Sequence, residues 1–141
     1  MKLRKLQIQN FRGIKNLELE LDDLVVLIGE NNVGKTAILH ALRLCLHKLG
    51  PRRRVVFGTF DFHLVDESAE PSSADPISIT LTFAEDKVGD WDGILVRRLN
   101  RQKIVQVAAD ERSQVMLRVT CSYNASARDF DQDWFFVQNL R

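Results

Sequence analysis

The sequence predicts an α/β fold in which a parallel strand runs through a glycine-bounded loop into a helix. Three observations carry that prediction. Residues 24–28 (Leu-Val-Val-Leu-Ile) are a short apolar run of the kind buried on both faces in a parallel sheet. The next eight residues are Gly29-Glu30-Asn31-Asn32-Val33-Gly34-Lys35-Thr36, which fit G-x-x-x-x-G-K-[ST]. Residues 37–49 are rich in strong helix formers, and Gly50 and Pro51 supply the stop. Strand, loop and helix arrive in the order a phosphate-binding P-loop needs. Gly29 and Gly34 let backbone N–H groups curl inward at phosphate oxygens with no Cβ in the way. Ala37 continues a helix that begins near Lys35 and turns its positive end to the same place. Lys35 then reaches the β- and γ-phosphates, and the Thr36 hydroxyl is a ligand for Mg2+. The pattern describes a nucleoside-triphosphate site.

Taken in order, the chain opens on a strand-like stretch with Leu3, Leu6 and Ile8 set among Lys and Arg, broken at Asn10-Phe11-Arg12-Gly13. Residues 17–21 (Leu-Glu-Leu-Glu-Leu) alternate with period two, as a half-buried antiparallel strand does. Asp22-Asp23 supplies a turn into the apolar run. Two antiparallel strands therefore precede the P-loop strand. The following helix is apolar nearly all round, through Ile38, Leu39, Leu42, Leu44, Cys45, Leu46 and Leu49. Such a helix is expected to be buried, clasped between a parallel core sheet and an antiparallel outer sheet.

His40 and His47 lie seven apart, not the three or four that helical metal pairs use. Arg52-Arg53-Arg54 reads either as a solvated loop or as a DNA-backbone contact. In Phe60-Asp61-Phe62-His63, Asp61 and His63 are candidates to face the γ-phosphate, Mg2+ or the attacking water; a turn with a capping aspartate is the other account. Residues 66–76 are small and polar, an exposed loop. Residues 77–83 alternate cleanly as a strand, and Trp91 is a packing anchor in a turn-rich stretch. Residues 94–100 fit helix or strand. Residues 104–107 and 115–123 flank a hairpin turn at 110–113, and 134–137 form a last strand.

A length of 141 residues allows one sizeable core and so predicts one domain. The net charge of +1 argues against a strongly electrostatic nucleic-acid binder, leaving room for a local patch. Cys45 and Cys121 form no CxxC or Cys/His cluster, and buried free thiols in a reducing cytoplasm are expected. No apolar h-region opens the chain, and no apolar run is long enough to span a membrane.

Residues 8–14 (Ile-Gln-Asn-Phe-Arg-Gly-Ile), 17–19 (Leu-Glu-Leu) and 26–42, which carry the P-loop, resemble the start of the RecF/SMC-like ABC-class ATPases. Within that group the chain most resembles the OLD (overcoming lysogenisation defect) family of ATP-dependent endonucleases, specifically over residues 1–49 and more loosely over 56–84. The resemblance implies a P-loop NTPase of the ABC/RecF-like head-lobe type that binds ATP and Mg2+ between two heads. It thus implies a homodimer or higher oligomer, and DNA as a partner of the complete protein. It also implies that Arg12 sits beside the nucleotide, where the bare sequence allows a solvated loop cation. A family glutamine that touches Mg2+ has Gln138 as its candidate here.

Several family parts are not found in these residues. Four apolar residues followed by Asp and Glu, the Walker B run, do not occur, nor does a Ser-Gly-rich signature helix or a Toprim acidic cluster. The expectation is an N-terminal lobe completed by other sequence. A RecF- or SMC-type repair ATPase shares this lobe without the nuclease. A stand-alone P-loop phosphotransferase would need lid arginines, for which Arg97, Arg98 and Arg101 are the candidates. An ATP-sensing module that does not hydrolyse is a further reading.

Overall fold

The computed structural model describes residues 1–28, 34–49, 57–64 and 74–138. The first strand, β1 (Lys2–Phe11), turns back into β2 (Ile14–Glu20), and α1 (Lys35–Leu49) follows. A 3-10 turn (Thr59–Asp61) leads towards β3 (Ile77–Ala84), then α2 (Gly93–Arg101), β4 (Val105–Val107), β5 (Ser113–Asn124) and β6 (Asp129–Phe136). The described strands form one six-stranded sheet, β2-β1-β3-β5, with β4 and β6 both paired to β5. Every pairing is antiparallel.

Period-two patterning accounts for the sheet's two faces. Leu19, Leu6, Leu81 and Leu117 lie in cross-strand register, as do Leu17, Ile8, Ile79 and Val119 in the next row. Leu6, Ile8, Ile79, Leu81, Leu117 and Val119 are fully buried. The opposite face carries Gln7, Thr80 and Arg118 in one row, where Arg118 Nε donates to Thr80 Oγ1 at 3.0 Å. In β1 the register steps from Leu3↔Phe83 to Lys5↔Thr82, so Arg4 is an extra, bulged residue. That bulge puts Leu3 and Leu6, three apart in sequence, against the same core.

α1 lies on the apolar face through Ala37, Ala41, Leu44 and Cys45. Cys45 and Cys121 are buried free thiols, and burial pushes both up to about 12. A smaller cluster of Trp91, Ile104, Val105 and Val115 seats α2 through Leu95, Val96 and Leu99. Residues 94–100 are thus helical, and the Asp92 carboxylate caps the helix by accepting from Ile94 N at 2.9 Å.

Three expectations need correction. Residues 24–28 are not a buried parallel strand in the described structure. They pair with no described strand, and Leu24, Val26 and Ile28 are exposed, Ile28 by 89%. A parallel strand gains its burial from neighbours on both sides, and no parallel pair exists among the described residues. For the same reason α1 is covered on one side: Leu39 is 60% exposed and Leu46 is exposed as well. The last strand begins at Asp129, five residues before the apolar stretch at 134. As an edge strand it alternates Asp129, Asp131 and Asp133 with its inward residues, so its first half carries little apolar signal. Arg52, Arg53 and Arg54, and the loop over residues 65–73, lie outside the described residues.

A buried carboxylate fixes the turn after β3. Glu85 is 2% exposed and accepts from Ser113 N at 2.8 Å and Trp91 N at 2.9 Å. Those backbone donors hold its carboxyl below the ordinary 4.5. Its contribution to stability is complete above the unfolded-state value and is lost as pH falls through the depressed folded-state value. Glu85→Gln is therefore expected to lower the melting temperature at pH 7, with the gap to the parent protein closing as melts are taken down towards about pH 3. A gap that stays constant over that range rejects the charged-acceptor role.

Candidate functional site

The start of α1 is positioned by Gly34 and the β1–β2 hairpin. Gly34 has φ +94°, a left-handed conformation that costs glycine little, and its carbonyl accepts the helical bond from Ile38 N at 2.9 Å. A Cβ at this position would lie 3.6 Å from Ile14 Cγ1, so the loop returns closely over the start of β2. Lys35 and Thr36 are the first two residues of α1, half-buried and exposed respectively, and Ala37 behind them is buried. The first turn contains no acidic residue, so nothing there opposes an anion at the helix's positive end. This donor set fits a triphosphate with its magnesium ion. Gly29, Glu30, Asn31, Asn32 and Val33 lie outside the described residues.

A second group of residues meets this helix. Arg12 occupies the β1–β2 turn at φ 53°, and Asn10 has φ 55°, conformations that L side chains rarely adopt. The segment around the 3-10 turn holds them there. Arg12 N donates to Asp61 O at 2.7 Å, and His63 N donates to Asn10 O at 3.1 Å. The Asp61 carboxylate accepts from Arg12 Nε at 3.0 Å on one oxygen and from Gly58 N at 2.8 Å on the other. His63 Nδ1 lies 2.8 Å from Arg12 O; because a carbonyl can only accept, this nitrogen carries the proton.

Asp61 thus does what a capping aspartate does and also grips Arg12. The Asp61 side chain is 9% exposed and that of Arg12 34%, so the pair sits at the edge of the interior with the arginine facing outward. The Arg12 guanidinium lies 5.5 Å from the Phe11 ring centroid.

Phe11 joins the two groups. Its ring stacks on His40 of α1, centroids 6.2 Å apart and planes at 13°, and meets Phe57 edge-on at 6.5 Å. Burial and the neighbouring Arg12 hold the His40 imidazole below its ordinary value, which keeps it neutral at pH 7. His40 is five residues past Lys35, about 7.5 Å along the helix axis. Arg12, Asp61 and His63 are therefore gathered beside the first two turns of α1. The role of His40 as their packing platform was not visible in the sequence, since a stacked aromatic pair 29 residues apart leaves no spacing signal.

Gln138 is not brought to this group. Phe62 stacks on Phe130 at 5.7 Å, so the start of β6 is the end near the site. Gln138 is exposed beyond the other end of that strand, eight residues and about 26 Å further on. The described residues contain no cluster of three or more His, Cys, Asp or Glu suited to a metal, and no helix long and apolar enough to cross a membrane.

The fold is similar to that of a solved SMC ATPase chain. A solved chain described as "Structural biochemistry of ATP-driven dimerization and DNA stimulated activation of SMC ATPases" superposes with a TM-score of 0.56 at 13% identity, covering 96% of this chain and 69% of that one. The chain belongs to the family described as "Protein of unknown function (DUF2813)", which matches residues 1–139. It is 38% identical over 68 residues to the endonuclease GajA of Bacillus cereus, a stretch covering 48% of this chain and 11% of GajA. It is 40% identical over 52 residues to the OLD nuclease of Thermus scotoductus (37% and 10%). With the DNA replication and repair protein RecF of Rickettsia typhi it shares 49% over 43 residues (30% and 12%). The matched stretches thus span about a tenth of each relative's length. The likeness to the OLD and RecF/SMC group, expected from the first 49 residues, is present.

Proposed function

We propose that this chain is the ATP- and Mg2+-binding lobe of an OLD-like ATPase that couples nucleotide state to DNA cleavage or processing. The observation that carries this reading is the start of α1. Gly34 takes a left-handed turn close to Ile14, and Lys35 and Thr36 follow at once on a helix terminus free of acidic residues. In sequence, Gly29, Glu30, Asn31, Asn32 and Val33 supply the rest of the G-x-x-x-x-G-K-[ST] pattern as nucleotide-binding candidates, with Ala37 following it. Lys35 supplies a point charge to the β- and γ-phosphates, and Thr36 offers its hydroxyl to Mg2+, which keeps most of its waters in such sites. The metal, when bound, neutralises charge on those phosphates.

Arg12 stands beside the nucleotide, its backbone and side chain fixed by Asp61, so the cation is pre-oriented before ligand arrives. Asp61 then acts as a positioning residue, and His63 holds the same turn through its Nδ1 proton. The parallel core sheet belongs to this reading too. Residues 24–28 and the exposed leucines of α1 are its apolar surface on this lobe, completed by the remainder of a longer parent that works as a dimer of heads.

Lys35→Ala is expected to weaken ATP binding about a hundredfold, since losing a charge-assisted contact costs on the order of 2–3 kcal/mol. Titration calorimetry on the purified chain measures it, and equal affinities in the two proteins reject the site. The likeness to RecF favours a second reading, a repair ATPase of the same lobe without nuclease; an acidic Toprim cluster in the parent sequence separates the two. The stand-alone phosphotransferase gains no support. Its lid candidates Arg97, Arg98 and Arg101 sit on α2, at the far end of β3 from the site and on the order of 25 Å away along the strand.

A further inference from the structure

Those three arginines form a surface of their own. α2 is anchored through Leu95, Val96 and Leu99, which face the cluster around Trp91. At about 100° per residue, Ile94, Arg97, Arg98 and Arg101 fall together on the opposite arc. All four are exposed. Arg97 and Arg101 are one turn apart, which places their Cβ atoms about 6 Å from each other, and Arg98 flanks them. Lys103 extends the strip just beyond the helix, in a left-handed conformation at φ 57°.

From residue 97 to residue 103 the chain carries four cations and no acid, although its net charge is only +1. Five of the other described cations are drawn into pairs: Lys2 and Arg4 with Asp86, Lys5 with Glu18, Arg12 with Asp61, and Arg112 with Asp110. Lys15, Arg43, Arg118 and Arg128 make no ion pair among the described residues but are scattered over other elements. Among the described residues, no carboxylate lies within ion-pairing distance of Arg97, Arg98, Arg101 or Lys103. Asp92 is spent at the other end of the helix as its N-cap.

A helix held rigidly by one face, with a stripe of unpaired arginines on the other, complements a regular array of negative charge. We propose that this face of α2 is a contact for the DNA phosphate backbone, separate from the nucleotide site and on the opposite end of the sheet. The proposal rests on the reading of the parent as a DNA-acting ATPase and names the surface through which this lobe meets its substrate. Backbone contacts carry position and not base identity, so the binding is independent of sequence.

The test is fluorescence anisotropy of a labelled mixed-sequence duplex with the full chain, between about 50 and 200 mM salt. R97Q/R98Q/R101Q keeps helix propensity close to that of the parent. It is expected to bind more weakly and to shallow the slope of log K against log salt by up to about 3. R97K/R98K/R101K is expected to keep the slope, because lysine also serves phosphate as a point charge.

An unchanged slope in the glutamine variant, with an unchanged thermal melt, overturns the proposal. So does an absence of salt-dependent DNA binding by the parent chain, or binding to phosphatidylserine vesicles without binding to the duplex. A fluorescent ATP analogue titrated into the same samples keeps the two readings apart. ATP binding without DNA binding removes this surface and leaves the nucleotide site. DNA binding lost in the glutamine variant, in a chain whose ATP affinity ignores Lys35→Ala, supports the surface and removes the site.

Discussion

The purified 141-residue chain is expected to bind ATP yet release phosphate from it barely above background. Binding needs the phosphate cradle, the Lys35 charge and the Thr36 hydroxyl, and the sequence provides all three. Turnover needs groups whose interactions strengthen in the transition state. A carboxylate that poises water is the first of these. Among the described carboxylates at the site, Asp61 has both oxygens committed, one to Arg12 and one to Gly58. A carboxylate whose two oxygens already hold donors has no oxygen free to orient an attacking water. The Asp-Glu pair of a Walker B run and a signature helix are not in the sequence. Each missing group of this type is worth a factor of roughly 100 to 1,000 in rate. Steady-state phosphate release measures the outcome, with Lys35→Ala as the control for contaminating ATPases. Robust turnover that depends on Lys35 would falsify the expectation and send the search for a base to Asp61 and to Glu67.

Phe11→Ala is expected to cost about 3–5 kcal/mol of folding stability, the range for removing a fully buried phenylalanine. Phe11 is completely buried where β1 ends, and its ring touches both α1 and Phe57. The cavity left behind opens between a helix and a sheet, two rigid bodies that collapse poorly onto each other. The same change removes the face on which the Arg12 guanidinium rests, so ATP affinity is expected to fall in whatever fraction remains folded. Phe60, three residues beyond Phe57 and 91% exposed, is the internal comparison. Phe60→Ala should stay within about 0.5 kcal/mol of the parent chain. Urea unfolding of the two variants decides the matter; a Phe11 variant as stable as the Phe60 variant rejects the packing role.

What could be read from the residues divides along a physical line. Local signals were legible: the alternation in β2 and β3, the hairpin at 110–113 and the helix from Lys35 all reappear in the structure. Residues 94–100 were ambiguous because a short run of three apolar residues, two arginines and a leucine fits either period. Tertiary seating on Trp91, together with the Asp92 cap, decided for helix.

The site was legible only in part. Arg12 and Asp61 were each singled out, but their pairing spans 49 residues and leaves no spacing rule to find it by. The exposed run at 24–28 shows the converse. Its apolar residues were read as a buried parallel strand, yet they form no strand and pair with none among the described residues, so composition announced a burial that the described fold does not supply.

The placement of β1 has a consequence for how the chain is made. This first strand lies between β2, which follows at once, and β3, which starts at Ile77, 66 residues after β1 ends. A ribosome adding about 5–20 residues each second needs several seconds to deliver that second neighbour. Over that interval the newborn β1–β2 hairpin has one edge unpaired, and Leu6, Ile8, Leu17 and Leu19 face water. α1 is synthesised within the same interval and carries apolar side chains that share one core with those residues in the finished fold. The helix that begins the nucleotide site is thus also the first shelter available to the nascent hairpin. Variants that weaken α1 should for this reason aggregate during synthesis more than their equilibrium stability alone would foretell.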